Sequence, residues 1–398
     1  MLKGSKDHDL LMLDNLMYSD FEEIPEQCNE GCGFIPKEIL TRLLGSHVRG
    51  KQTMAIQVRL FAPKLGIFKG MLVEKYGITK IQLPPSMMKV GPSQSCTVLE
   101  TIVLLVKSIF PSKTTAQVSH VLNLNWAEPS LKSFQPDQTL KLSTMITDLW
   151  QSQGVPSALI QSYKKSLTHM KEVHHSFLVG VADPTGSIPE GYIFVPGMGV
   201  KQCVLENLFV TRCPCMVQED GRLLPVLNSK PMKMNQADWN FLNSFSFGVI
   251  IFGNSCPGFQ ALPSVVADGD LDGDLYFVCW HEAIVKSVMP LPICLSMSMS
   301  TNEKHTNTIR HADWLAQAQD LAANLGTLSE INFLVGKLYS LSKKFAALSQ
   351  DGANDASAMA FGKAYQASLN LMKHSGKIKL QMPLWDNMPS QYHKYLVD

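Results

Sequence analysis

Net charge is almost absent from this 398-residue chain: 35 basic residues stand against 34 acidic ones, for a formal +1. A nucleic-acid surface built on overall basicity is excluded, so any basic groove must be local and balanced by acid elsewhere. Long apolar runs are missing too. The longest aliphatic run, Ile102 to Val106, is far too short to span a bilayer. The start, MLKGSKDHDLLMLDNL, interleaves charges with short apolar runs and does not read as a secretory signal. Cysteine is sparse and odd in number: nine, scattered, which argues against a complete disulfide framework. Neither Cys28 with Cys32 nor Cys213 with Cys215 has C-x-x-C spacing, and no histidine cluster completes a zinc site. These absences predict a soluble protein of a reducing, intracellular setting, cytoplasmic or nuclear, without a membrane partner.

What is present describes an ordinary folded chain, 45% hydrophobic and 17% charged, long enough for two or three domains. Residues 1–50 read as an irregular N-terminal segment in which Gly31 and Gly33 suggest a turn and Pro36 opens a short helix. Residues 51–110 read as β: AIQVRLFA, FKGMLVEKY and TKIQLPPS alternate in part and are cut by Gly and Pro. Residues 111–176 read as a helical connector, with Leu142, Met145, Ile146 and Leu149 on one face and His174–His175 at a surface helix end. Residues 177–294 return to β, in short apolar segments (SFLVGVAD, GYIFVPG, NLFVTRC, FGVIIFG, LYFVCW) whose spacing suits a small barrel with irregular crossings. A polar break, LSMSMSTNEKHTN, precedes a helical region over 308–398. There Leu321, Leu325, Leu328, Ile331, Val335 and Leu338 keep helical spacing, as do Met359, Ala360, Ala364, Ala367 and Leu371.

The chemistry concentrates in ADGDLDGDLYFVCW, Ala267 to Trp280, with four aspartates among seven residues. Like charges this close are costly unless a cation sits among them. As a calcium loop, Asp268, Asp270, Asp272, Gly273 and Asp274 fall at positions one, three, five, six and seven. Position twelve, which requires a bidentate Glu, is Cys279, and the flanks LPSVVA and LYFVCW are not two helices. As a catalytic metal loop, Gly273 lets the chain bend so that Asp270, Asp272 and Asp274 converge, and three carboxylates suit Mg²⁺, with Mn²⁺ as the alternative ion. A solvated acidic turn is the third reading, which the directly attached apolar strand weakens.

DLDGDLYFVCW resembles the signature of the eukaryotic RNA-dependent RNA polymerases of RNA silencing, D-x-D-G-D followed by an aromatic strand. The resemblance continues in order through EGCGFIP, QVRLFAPKLGIFKGML, LPPSMMK, FLVGVADPTGSIPEGYIFV, VTRCPCMVQEDGR, FGVIIF and LMKHSGK, over roughly residues 29 to 380. It implies a mixed β fold with α: two double-psi β-barrels forming a catalytic cleft, with a helical connector and a helical C-terminal region. It implies templated transfer of ribonucleotides to an RNA 3′-hydroxyl, making double-stranded RNA for small-RNA gene silencing. The implied partners are a single-stranded RNA template, ribonucleoside triphosphates and small-RNA silencing proteins. Asp270, Asp272 and Asp274 map onto the family's metal-binding aspartates. Lys69 and Lys89 are the first-barrel lysines expected in the cleft, and Arg59 and Arg212 stand in matched motifs, either on phosphate or paired to a barrel carboxylate such as Asp220.

Departures from the family pattern fall mostly on basic or polar cleft positions. Pro84 replaces an Arg, Cys213 an Asn, Ser176 an Arg, and Val217, Gln218 and Glu219 a His-Pro-Gly. LSTM (Leu142 to Met145) and SCPGFQ replace two further motifs, Asp268 adds charge beside the triad, and the chain is short for the family. Two rival readings therefore stand beside the polymerase: a catalytically weakened RNA-binding scaffold paralogue, and a calcium-binding β-domain protein. His281 as a general acid and Trp280 as barrel packing complete the expectations.

Overall fold

Short apolar strands cut by Gly and Pro assemble here into two sheets whose strand order departs from their order along the chain. The computed structural model describes residues 9–12, 16–27, 29–44, 54–92, 102–108, 175–198, 205–212, 215–253, 260–280, 282–286, 288, 335–342, 345 and 355–374. The first sheet contains β1 (Asp9–Met12), β2 (Phe21–Glu23), β3 (Cys32–Ile35), β4 (Ala55–Ala62), β5 (Gly66–Glu74), β6 (Ile81–Leu83), β7 (Met88–Val90) and β8 (Val103–Ser108). Its order is β1-β8-β4-β5-β3-β6-β2, with β7 paired to β5. The second contains β9 (His175–Ala182), β10 (Ile193–Phe194), β11 (Asn207–Arg212), β12 (Gly221–Pro225), β13 (Val249–Phe252) and β14 (Leu275–Cys279), in the order β10-β13-β9-β14-β11-β12. Parallel pairs (β3 with β5, β2 with β6, β9 with β13) lie inside otherwise antiparallel sheets, so crossovers join these strands while β4–β5 and β11–β12 pair directly with their sequence neighbours.

Alternation along β4 sets the two sides of the first sheet. Ile56, Val58, Leu60 and Ala62 point into its own core, with Phe68 and Leu72 of β5. Helix α1 (Lys37–Leu44) covers that core with Ile39, Leu40, Leu43 and Leu44, after the Pro36 carbonyl accepts the Leu40 N–H. The opposite face carries Ala55, Met71 and Val73, which join Cys32 and Phe34 in a second core shared with Leu178, Val181, Val210, Ile250, Tyr276 and Val278 of the second sheet. The two sheets are thus packed against each other through one continuous apolar cluster. Gln57, Arg59 and Lys69 lie on that same outward face, with Arg59 opposite Lys69 in the β4–β5 register.

Around the second sheet are α2 (Gln236–Ser244), capped by the Asn235 side chain on the Asp238 N–H, and the short helices α3 (Leu262–Val265) and α4 (Glu282–Val285). Helix α5 (Ala356–His374) pairs Phe361 with Phe345 in a stack at 5.2 Å, beside helical residues 335–342. Val335, Leu338, Met359, Ala360 and Ala364 are helical as their spacing predicts; the connector positions through His174, Leu321 to Ile331, Cys213 and His281 lie outside the described residues.

Three expectations need correction. Residues 1–50 are not irregular throughout, since β1, β2 and β3 join the first sheet. Gly33 marks no turn: it lies within β3, where a β-carbon would stand 2.3 Å from the Gln82 carbonyl, so glycine serves close strand approach. His175 is not a surface residue at a helix end; it begins β9, is buried, and stacks on Phe277 at 5.1 Å.

Candidate active site

The aspartate loop hangs between α3 and β14. Pro263 sits in the first turn of α3, and β14 begins directly after Asp274. Within the loop the carboxylates fold back onto backbone donors: Asp270 N–H donates to Asp274 Oδ2 at 3.1 Å, and Asp272 N–H to Asp270 Oδ1 at 3.4 Å. Gly273 takes φ +123°, a conformation L side chains avoid, and this bend turns the chain between the second and third aspartates. Asp270, Asp272 and Asp274 each offer a carboxylate oxygen, all within 4.8 Å of one another. Three oxygen donors fit a hard divalent cation, and among the described residues no other group of His, Cys, Asp or Glu gathers in this way.

The first sheet fixes this loop from the opposite side. Leu271 N–H donates to the Glu30 carbonyl at 2.7 Å, and Gln57 Nε2 donates to the Asp272 carbonyl at 3.2 Å. Gly31 lies so close that a β-carbon there would be 2.9 Å from Asp272 Cβ. Lys69, brought round by the β5 alternation, places Nζ 2.5 Å from Asp272 Oδ2. Burial pushes the Asp272 carboxyl up, but the Lys69 ammonium, its hydrogen bond and the charge of Lys89 outweigh it and hold the group below the usual carboxylate range. Lys89 itself is exposed and donates to the Ser86 carbonyl at 3.0 Å. Arg59 is exposed beside Lys69.

Arg212, at the end of β11, pairs with Asp274 and not with Asp220: Nε lies 2.5 Å from Oδ2 and Nη2 3.2 Å from Oδ1. Asp220 is buried and turned elsewhere, accepting the Met216 and Val217 N–H groups at 2.7 and 3.0 Å and Gln366 Nε2 at 2.6 Å. Asp268 lies outside the converging triad; it is exposed at φ +50°, after Ala267 at φ +53° whose carbonyl accepts Arg212 Nη1 at 3.4 Å. The calcium-loop reading fails structurally as well, because positions eight to twelve, Leu275 to Cys279, form strand β14, with Cys279 buried, where a calcium loop would run on into its second helix.

Four contributors escaped sequence reasoning: Gln57, Glu30, Gly31 and Tyr276. Tyr276 is fully buried, its hydroxyl donating to the Asp270 carbonyl at 3.0 Å and its ring edge-on to Phe252 at 4.9 Å. A buried tyrosine needs a partner for its hydroxyl, and one that follows a loop by two residues is well placed to bond back to it, which was a usable signal. Burial, with Asp274 and Asp270 nearby, pushes its phenol well above the ordinary value. Trp280 packs in the shared core, as expected of a barrel residue.

No helix among the described residues is long and apolar enough to cross a membrane. No curated protein matches the sequence. Among solved structures, the fold is similar to RNA dependent RNA polymerase QDE-1 from Thielavia terrestris, with a TM-score of 0.58 at 12% identity over 92% of this chain and 47% of that one. The chain therefore spans about half the length of that protein. The likeness shows the fold: the two curled sheets are a pair of double-psi β-barrels. The model of the family described as RNA dependent RNA polymerase matches residues 157–395, more than half the chain, and the chain belongs to that family.

Proposed function

We propose that this chain is the core of an RNA-directed RNA polymerase, which copies single-stranded RNA by joining ribonucleoside triphosphates to a 3′-hydroxyl. The observation that carries this reading is the convergence of Asp270, Asp272 and Asp274 within 4.8 Å in one barrel, with Lys69 of the other barrel 2.5 Å from the middle carboxylate. In the reaction the 3′-oxygen forms a bond to the α-phosphorus, the bond to the β-phosphate oxygen breaks, pyrophosphate leaves, and the hydroxyl proton passes to solvent. Mg²⁺, or Mn²⁺ in its place, held by the three aspartates would supply positive charge for the triphosphate and for the ionising hydroxyl. Lys69, Lys89 and Arg59, on the face toward the triad, offer charge to the triphosphate or template phosphates. Gly273, Gln57 and Tyr276 hold the loop so that the carboxylates need no rearrangement.

The product in this reading is double-stranded RNA for small-RNA silencing, with silencing proteins as partners in an intracellular compartment. In this reading residues 51–110 and 177–294 are the bodies of the two barrels, with β9 beginning two residues earlier at His175, β1 to β3 of residues 1–50 are added to the first, and 308–398, which include α5, are the C-terminal region. A second reading, an RNA-binding paralogue without catalysis, is favoured by Pro84, Cys213 and Val217 standing where the family carries Arg, Asn and His.

Primer extension with labelled ribonucleotides, an RNA template and Mg²⁺ separates the two. The polymerase reading expects template-dependent incorporation; RNA binding without incorporation selects the scaffold. Asp272→Ala is expected to lower incorporation by about 100-fold or more. Its urea midpoint should change little, because the lost pair to the partly exposed Lys69 is offset by relief of the repulsion among Asp270, Asp272 and Asp274. Full incorporation by that variant would reject the site.

A further inference from the structure

Two of the three triad carboxylates already hold a cation of the protein's own. Lys69 reaches Asp272 from β5 of the first barrel at 2.5 Å, and Arg212 grips Asp274 from the end of β11 in the second, at 2.5 Å from Nε and 3.2 Å from Nη2. Three negative and two positive charges leave the cluster at a formal −1. A divalent ion is attracted far less by that cluster than by three carboxylates lacking such neighbours, since each cation at these distances repels it over the same range. Both cations are also phosphate ligands by chemistry: the guanidinium matches two phosphate oxygens at once, and the ammonium serves as a point charge on a four-carbon arm. Their carboxylates remain partly accessible, with Asp272 and Asp274 side chains 13% and 19% exposed, so an arriving anion meets the pairs directly.

We propose that Lys69 and Arg212 exchange partners when substrate binds: they move from Asp272 and Asp274 onto the phosphates of a nucleoside triphosphate, and the released carboxylates bind the divalent cation. The triad alone holds the cation weakly, and cation and triphosphate bind with positive coupling that is reciprocal. The identity of the anion rests on the polymerase reading above; the exchange itself rests on the two ion pairs.

The test is equilibrium dialysis of the full chain at fixed free Mn²⁺, without RNA, with and without the non-hydrolysable analogue α,β-methylene-ATP. Manganese is counted in excess of bound nucleotide. The wild-type chain is expected to bind Mn²⁺ about tenfold more tightly with the analogue than without it. Without the analogue, Lys69→Met and Arg212→Met are each expected to bind Mn²⁺ several-fold more tightly than wild type, and with it to lose most of the coupling. Lys69→Arg and Arg212→Lys, which keep the charge, should retain weak binding to the triad alone. Lys69→Met decides by itself should Arg212→Met fail to fold, because Lys69 lies on a half-exposed arm. Equal wild-type affinity with and without the analogue overturns the exchange, as does a Lys69→Met chain that binds Mn²⁺ no more tightly than wild type. Primer extension run alongside separates the two readings: incorporation without coupling rejects the exchange alone, and coupling without incorporation rejects the polymerase alone.

Discussion

Gly273 has φ +123°, and a β-carbon on it would stand 2.0 Å from Gln57 Nε2. Gly273→Ala therefore has two costs, a strained backbone and an expelled Gln57 that no longer holds the Asp272 carbonyl. A loss of about 1–3 kcal/mol in urea denaturation is expected from the backbone alone. Incorporation should fall with it, because the middle carboxylate loses its fixed position; unchanged stability and activity would show that the loop tolerates a different bend. Asp270, Asp272 and Asp274 were legible in the sequence because their spacing and the glycine between them lie within five residues. Gln57 was not, since its bond to the Asp272 carbonyl crosses 215 residues and depends on which face of β4 turns toward the second barrel. Asp268, conspicuous in sequence, is part of the turn before the triad; aspartate is among the few residues that tolerate its left-handed conformation.

Among the elements, α5 has the clearest tie to the second barrel. Gln366 donates to Asp220, which also gathers the N–H groups of Met216 and Val217 just before β12, and Gly362 packs against the same two residues. Burial raises the Asp220 carboxyl, and the hydrogen bonds from Val217, Met216 and Gln366 only partly offset it. The folded state thus holds this proton to higher pH than the unfolded state does, and stability declines as pH rises from the ordinary carboxylate value, about 4, through the raised one. Asp220→Asn, whose carbonyl can take the two N–H groups while Gln366 reverses its amide, has no such proton to lose. The urea midpoint of wild type relative to Asp220→Asn should fall as pH rises above about 4 and then level off. A gap that widens in favour of wild type would mean the hydrogen bonds outweigh burial. Helical spacing marked α5 in the sequence, but its docking partner was invisible, because Asp220 and Gln366 are 146 residues apart.

Across the whole molecule the barrels share one apolar core beside the first barrel's own, so the second barrel's core and one face of the first are buried only when both are folded. Unfolding should be a single transition, with far-UV circular dichroism and tryptophan fluorescence coinciding; two separated transitions would contradict the shared core. A second clasp lies away from the triad. The Tyr76 hydroxyl donates to Asp238, which also accepts Ser187 Oγ, and the Tyr76 ring meets Phe241 edge-on at 4.9 Å. Tyr76→Ala removes an aromatic pair and the bond from an exposed tyrosine to the buried Asp238 carboxylate, and should lower stability by about 1–3 kcal/mol without splitting the transition. A loss below a few tenths of a kcal/mol would make the clasp incidental.

By itself the sequence determined the chemistry-bearing loop, the apolar segments that became β4, β5, β9, β11, β13 and β14, the helix α5 and the family, because these rest on local spacing and on motifs in order along the chain. Only the tertiary structure decided what neutralises the aspartates. Lys69 reaches Asp272 because β5 turns its odd residues toward the second barrel. Arg212 reaches Asp274 because β11 and β14 pair with Arg212 opposite Tyr276. Strand partners and the meeting of two sheets fix those distances, and neither is written in the spacing of any one segment.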